Sequence, residues 1–175
     1  MRIHSESIIN HPREAVFLAY RDRLPEIAPY IPDIGQIRVE KRTEHHDKVE
    51  LHNLWIAERE VPGFAQAFIK PDMLRWDDFA TWDTASQSCS WRLNVRAFPQ
   101  SVACSGTNTF VELGAGRTKV VLEGDLQIDV KKIPGVPRLL AGRVAPKVEK
   151  FIVSLITPNL ERVNSSLGRF LDDQG

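Results

Sequence analysis

Residues able to do chemistry are few in this chain, and they stand in isolated places. Asp77 and Asp78 adjoin between Trp76 and Phe79, His45 and His46 adjoin with His52 nearby, and the thiols Cys89 and Cys104 form no CxxC. Neighbouring residues on a strand point to opposite faces, so His45 and His46 do not chelate together and no metal site is expected. By the same rule one of the paired aspartates faces inward and one outward. An inward carboxylate in apolar surroundings has a raised pKa and acts as an acid or base. Asp77, Asn53 and Arg75 converging inward would polarise a carbonyl and move a proton. The plainer alternative is an edge or loop carboxylate paired with Arg75 or Arg92. Asn53, between Leu51 and Trp55, and Asn108, between Cys104 and Phe110, interrupt apolar faces. A buried amide needs partners, from a ligand carbonyl or hydroxyl or from a structural network. Both cysteines read as buried free thiols. The chain contains no GxSxG, HExxH, GxxxxGK[ST] or GxGxxG, so no catalytic residue and no cofactor is assigned. GAGR (Gly114 to Arg117) reads as a hairpin turn.

The elements that must position these residues follow from their periods. RIHSESII is a short strand, and Pro12 opens a helix to Asp22 with Ala15, Val16, Ala19 and Tyr20 on one face. LPEIAPYIPDI holds too many prolines for more than a short helical turn or two. From Gly35 the period is two. Ile37 and Val39 share one face, a polar turn at 45–48 follows, and Val49, Leu51, Asn53, Trp55 and Ala57 share one face of a second strand. VPGFAQAFI reads as a short helical insertion. It serves either as a lid whose Phe64 and Phe68 dip into a membrane or as a piece packed on the core. Strands are expected at Met73–Trp82, Gln87–Phe98 and Val102–Leu113, and another follows the GAGR turn. From Val136 to Asp173 apolar residues recur at helical spacing, from Leu140 through Phe151 and Leu155 to Phe170, with a kink or break at Pro146 and Pro158.

Length and composition bound the rest. A chain of 175 residues with 42% hydrophobic residues fits one domain spanning 1–175, with a core that needs no staples. Lys+Arg and Asp+Glu stand at 23 each, so there is no basic excess of the kind nucleic-acid binders carry. No stretch approaches the roughly 18 apolar residues of a membrane span. MRIHSESIIN lacks a secretory apolar segment, and a cytoplasmic protein is expected. Composition does not address the oligomeric state.

Strand, two short helices, about six to seven strands and a long closing helix make an α+β layout. The first strand ending in IINHPREAV, the hairpin IRVEKRTEHHDKVELHNLWIAE, the insertion VPGFAQAFI and the closing helix together resemble the SRPBCC/START-like (helix-grip) superfamily. The opening also resembles PRELI-like lipid-transfer domains. The resemblance implies a curved antiparallel sheet gripping the last helix around a cavity, with an apolar small molecule as ligand: a lipid, a polyketide-like compound or another apolar guest. The ligand contacts expected on that reading are Asn53, Trp55, Asp77, Trp91, Asn108, Phe110, Leu122, Phe151 and Leu155. Two alternatives stand beside it: an aromatase/cyclase-type enzyme using an inward polar set, and an interaction domain with a filled core. A free apolar face at Leu167, Phe170 and Leu171 would favour the last.

Overall fold

Period-two alternation produces seven strands in a computed structural model of the chain, which describes residues 1–67, 69–134 and 141–175 apart from the side chains of Ala141 and Val144. They are β1 (Arg2–Ile9), β2 (Ile34–His45), β3 (Lys48–Ala57), β4 (Arg75–Asp83), β5 (Ser88–Val95), β6 (Val102–Gly114) and β7 (Arg117–Ile128). All pair antiparallel, in the order β1-β7-β6-β5-β4-β3-β2. Between the two edge strands run α1 (Arg13–Asp22), α2 (Leu24–Ile27) and a 3-10 turn over Ala28–Tyr30. The closing helix is α3 (Ala141–Gln174). This is the expected helix-grip α+β fold: an open curved sheet with a long C-terminal helix on its inner face.

Each strand turns its apolar set inward as alternation requires. Val49, Leu51, Trp55 and Ala57 of β3, Trp76, Ala80 and Trp82 of β4, and Cys89, Trp91, Leu93 and Val95 of β5 are all buried. Edge strand β2 departs from the expectation. Ile37 is buried but Val39, in continuous register with it opposite Trp55 and Asn53 of β3, is 43% exposed on this edge strand. The β2–β3 register shifts lie on either side of the pair, between Ile34 and Gln36 and between Val39 and Lys41. The insertion after β3 also differs. It is a run of turns, with Ala65 N–H and Gln66 N–H donating to the Pro62 carbonyl and Ile69 N–H to that of Ala65. Val61, Ala65 and Ile69 anchor it in the core, while Phe64 is exposed. Phe68 lies outside the described residues.

One rung of the sheet is shaped by glycine. Gly106 and Gly124 lie opposite each other on β6 and β7, and Trp91 pairs with Gly106 across β5 and β6. A Cβ at Gly106 would stand 2.5 Å from Trp91 Cζ2 and closer still to the Glu123 carbonyl; one at Gly124 would stand 2.9 Å from Trp91 Cη2. The indole therefore occupies the room that two side chains would need.

Helix α3 buries Val148, Phe151, Ile152, Leu155, Ile156, Val163, Leu167 and Phe170. Leu140 and Val136, expected at its start, lie outside the described residues. The helix runs through Pro146 and Pro158, where a kink or a break was expected, as one element without a break. Pro158 has no N–H for the Ser154 carbonyl four residues back. Arg59 Nη1 supplies the missing donor at 2.9 Å, and its guanidinium lies 5.9 Å from the Phe151 ring. The far end is tied to the N-terminal elements. Ser166 Oγ and Arg169 Nη2 donate to the Tyr30 carbonyl (2.8 and 2.7 Å), Tyr30 donates to Asp173 (2.7 Å), and His11 pairs with Asp172 (2.7 Å).

Leu167 sits in full packing, whereas Ile156 borders an internal space described below. Truncating a packed leucine loses both transfer energy and contacts, so Leu167→Ala should cost about 3–5 kcal/mol and Ile156→Ala nearer 2 kcal/mol. Urea denaturation of both variants measures the difference, and a larger loss at Ile156 would contradict the packing described.

Candidate functional site

Between the inner face and α3 lies a cavity built by elements from across the chain. α1 contributes Tyr20, α2 Leu24, β3 Asn53 and Trp55, and β4 Trp76, Asp78, Ala80 and Trp82; β5 and β6 add Cys89, Trp91, Leu93 and Asn108, and α3 adds Ile156, Asn159 and Leu160. All are buried except Leu160, which is half-buried and marks where the space nears the surface. Its volume is only about 30 Å3. That is room for about two water molecules, against the roughly 300 Å3 or more of an ordinary ligand pocket. Four tryptophans have filled most of the space that sheet curvature leaves.

The wall is apolar with a polar seam. Asn53 Nδ2 donates to Asp78 Oδ2 at 3.1 Å, Trp91 Nε1 to Asn108 Oδ1 at 3.1 Å, and Asn108 Nδ2 to Tyr20 Oη at 3.3 Å. Four lining atoms have no partner among the described residues: Asn53 Oδ1, Trp55 Nε1, Trp82 Nε1 and Asn159 Oδ1. Trp55 Nε1 lies close enough to Asp78 to favour its ionised form, yet the pair falls short of hydrogen-bond geometry. Asn159 spends its amide on the Leu155 carbonyl (2.7 Å), leaving its own oxygen over. Unmade bonds of buried groups cost about 1–3 kcal/mol each, so a guest or water that makes them is favoured.

The two neighbouring aspartates face opposite environments. Asp77 lies on the outer face, where Arg96 Nη2 (2.7 Å) and Nε, His52 (2.7 Å) and Asn94 (3.4 Å) reach its oxygens. Its expected place in the cavity is thus corrected: on β4 the inward parity belongs to Trp76, Asp78, Ala80 and Trp82. Its partner is Arg96, where Arg75 or Arg92 was expected. Arg75 lines an outer hollow with Asp72, Met73 and Arg96, so the Asp77–Asn53–Arg75 set does not converge. Chiefly through the Arg96 hydrogen bonds, Asp77 is held down to about 2. Burial pushes Asp78 up to about 6, against the lowering effect of Asn53, Trp55 and the His52 charge. Desolvation also raises the Tyr20 hydroxyl and the Cys89 thiol, so neither is an available nucleophile or base near neutral pH.

Of the expected site residues, Asn53, Trp55, Trp91 and Asn108 line the cavity. Phe110 belongs instead to an aromatic cluster, edge-on to Phe17 (5.3 Å) and Tyr20 (6.0 Å). Leu122 and Leu155 are buried core, and Phe151 lines an outer groove with Arg59, Phe64 and Lys147. Sequence reasoning missed Asp78, Asn159 and Tyr20. The signals were present: Asp78 shares parity with Trp76, Ala80 and Trp82, and Asn159 lies three residues from Ile156 on the helix stripe.

No protein-family model and no curated protein matches the chain. Solved structures do match in fold. A protein of Thermus thermophilus superposes with a TM-score of 0.69 at 19% identity, over 100% of this chain and 99% of that one. The Zhui aromatase/cyclase from Streptomyces sp. R1128 gives 0.66 at 17%, over 100% and 96%. Norcoclaurine synthase from Thalictrum flavum, solved with dopamine and hydroxybenzaldehyde, gives 0.54 at 10%, over 100% and 88%. These likenesses establish the helix-grip fold. Among the described residues no helix is long and apolar enough to cross a membrane, and no group of three His, Cys, Asp or Glu could hold a metal ion.

The aspartates should leave opposite marks on stability. Between 3.8 and about 6 the folded chain keeps a proton on Asp78 that the unfolded chain has released, so stability falls as pH rises through that window. Above it the loss is complete, about 3 kcal/mol. Asp77 stabilises above 3.8, and that contribution is lost as pH falls toward 2. Asp78→Asn should therefore flatten the slope in the upper window and melt higher than the parent at neutral pH. Asp77→Asn should melt lower at neutral pH and lose less below 3.8. Thermal melts across pH test both signs, and parallel curves for parent and Asp78→Asn would contradict the burial of Asp78.

Proposed function

We propose that the chain binds a compact, largely apolar small molecule carrying a hydrogen-bonding group, in the space between the sheet and α3. The observation that supports this most is the concentration of unpartnered donors and acceptors beside a buried carboxylate at one internal cavity. Indole N–H groups would donate to a guest carbonyl or hydroxyl, and the Asn53 and Asn159 oxygens would accept from a hydroxyl. A long-chain lipid suits the site poorly, since about 30 Å3 gives a tail no room. Any guest larger than two or three heavy atoms must displace part of the wall, and Leu160 is the wall residue nearest solvent. Transfer between membranes is correspondingly a weaker reading, although Phe64 is exposed.

A second reading is acid–base catalysis in the same cavity, favoured by a carboxylate whose titration lies near neutrality. Asp78 would take or give the proton, Asn53 would orient it through their hydrogen bond, and the indole donors would polarise a substrate carbonyl. A structure of the same fold is an aromatase/cyclase, which is consistent with chemistry of this kind. The interaction-domain alternative draws support from the small cavity but loses its other ground: Leu167 and Phe170 are buried and Leu171 is partly covered.

Ala80→Val adds two methyl groups into the cavity. It should weaken binding of a neutral hydroxyaromatic probe such as 2-naphthol at least about ten-fold with the melting temperature held or raised, since it fills empty space. Leu160→Ala should speed uptake. Calorimetric titration and stopped-flow tryptophan emission provide the readouts; a parent that does not bind 2-naphthol, or an Ala80→Val variant that binds it unchanged, would overturn the proposal.

A further inference from the structure

All four tryptophans of the chain, Trp55, Trp76, Trp82 and Trp91, line the same cavity, and the carboxylate among them is Asp78. No Lys, Arg or His appears among the described lining residues. The described cation–ring contacts all fall on phenylalanines: Arg21 on Phe17, Arg23 on Phe170, Arg59 on Phe151, Arg92 on Phe79 and Lys147 on Phe64. Arg96, the guanidinium that pairs with a carboxylate of β4, is committed to Asp77 on the opposite face of the sheet. Among the described residues Asp78 thus keeps one side-chain hydrogen bond, from Asn53, and no counter-cation.

From this arrangement we infer that the cavity is selective for an organic ammonium ion, its charge held by Asp78 and the indole faces. The inference rests on the small-molecule reading above and narrows it to a charge class. Indole is the strongest aromatic partner of a cation, and the attraction grows when water is excluded. A buried charge without a partner is costly, and a bound ammonium removes that cost. A metal ion would need further ligands, and no group of three acidic, histidine or cysteine side chains among the described residues supplies them. A carboxylate or phosphate ligand would meet Asp78 with no cation to offset it. The volume agrees, since about 30 Å3 suits an ammonium head, and an attached apolar body would displace the wall where Leu160 lies nearest solvent.

Other titratable groups face Asp78 from the elements packed on it. Tyr20 of α1 and Cys89 of β5 stay neutral near pH 7, both raised by desolvation. His52 of β3 acts from the outer face, where it is paired with Asp77. Among the described residues, α3 lines the cavity with uncharged side chains. Binding of a permanent cation should therefore follow the ionisation of Asp78. Affinity should climb about ten-fold per pH unit below the Asp78 pKa of about 6 and level off above it.

The experiment titrates the full chain with phenethylammonium, 2-phenylethanol and phenylacetate by calorimetry, from about pH 5 to about pH 8, a range that brackets the Asp78 titration, beside Asp78→Asn. Trp76→Leu is a second variant, in case loss of the carboxylate alters the fold. Expected is an order ammonium, alcohol, phenylacetate, with about ten-fold or greater loss of the ammonium in Asp78→Asn and a smaller loss for the alcohol. The pH dependence should vanish in Asp78→Asn, and Trp76→Leu should weaken the ammonium more than the alcohol. Alcohol and ammonium binding equally, or phenylacetate binding best, would overturn the charge selectivity while leaving small-molecule binding intact. Failure of all three probes would overturn both readings.

Discussion

The structure depends on one contact: the apolar stripe of α3 laid against the inner face of the curved sheet. Each large side chain buried there contributes about 1.5–3 kcal/mol, against a net domain stability of about 5–15 kcal/mol. Two prolines inside α3 would ordinarily weaken it. At Pro158 the cost is met from outside the helix, since Arg59 donates to the carbonyl that proline leaves bare. The other end is fixed by hydrogen bonds to Tyr30 and by pairing of His11 with Asp172. Both supports come from segments far away in the sequence, so helix and sheet are stable only together.

A curved sheet around one helix leaves space at its centre, and this chain fills that space with indoles. Trp91 lies over the Gly106–Gly124 rung, Trp55 stacks on Trp76 with centroids 5.8 Å apart, and Trp82 joins Phe17, Tyr20 and Phe110 in an aromatic cluster. Large rings pack less finely than aliphatic chains and bring N–H groups that need acceptors. The indole N–H groups of Trp55 and Trp82 find no partner among the described residues. What remains is a small polar-edged space, and its chemistry is set by which groups fail to be paired.

Asp77 and Asp78 show how strongly a pleat separates chemistry. They are one residue apart, yet one is drawn down by guanidinium and imidazole partners and the other is pushed up by desolvation. The arginine on the outer face does not relieve the inner carboxylate, because the sheet lies between them. An inner anion flanked by indoles, with no cation among the described lining residues, is the feature that gives the cavity a sign.

The order of elements, the period of each strand and the length of the apolar stripe on α3 were legible in the sequence, because alternation and helical spacing are local properties. The inward set of β3, with Asn53 and Trp55, and that of β5, with Trp91, followed from parity alone. So did the placement of Asn108, two residues from Phe110 on the inner face of β6. Parity also held the answer for Asp78, once the two neighbouring tryptophans are taken as the inward residues. Other features were decided by tertiary structure, because each needs the position of a distant segment. Val39 is exposed on the edge strand β2, and Phe110 became plain core because α1 covers it. Arg96 rather than a nearer arginine reached Asp77, and the four tryptophans met in one place. Whether a cavity is open or filled depends on how side chains from distant elements share one volume, which no local pattern encodes.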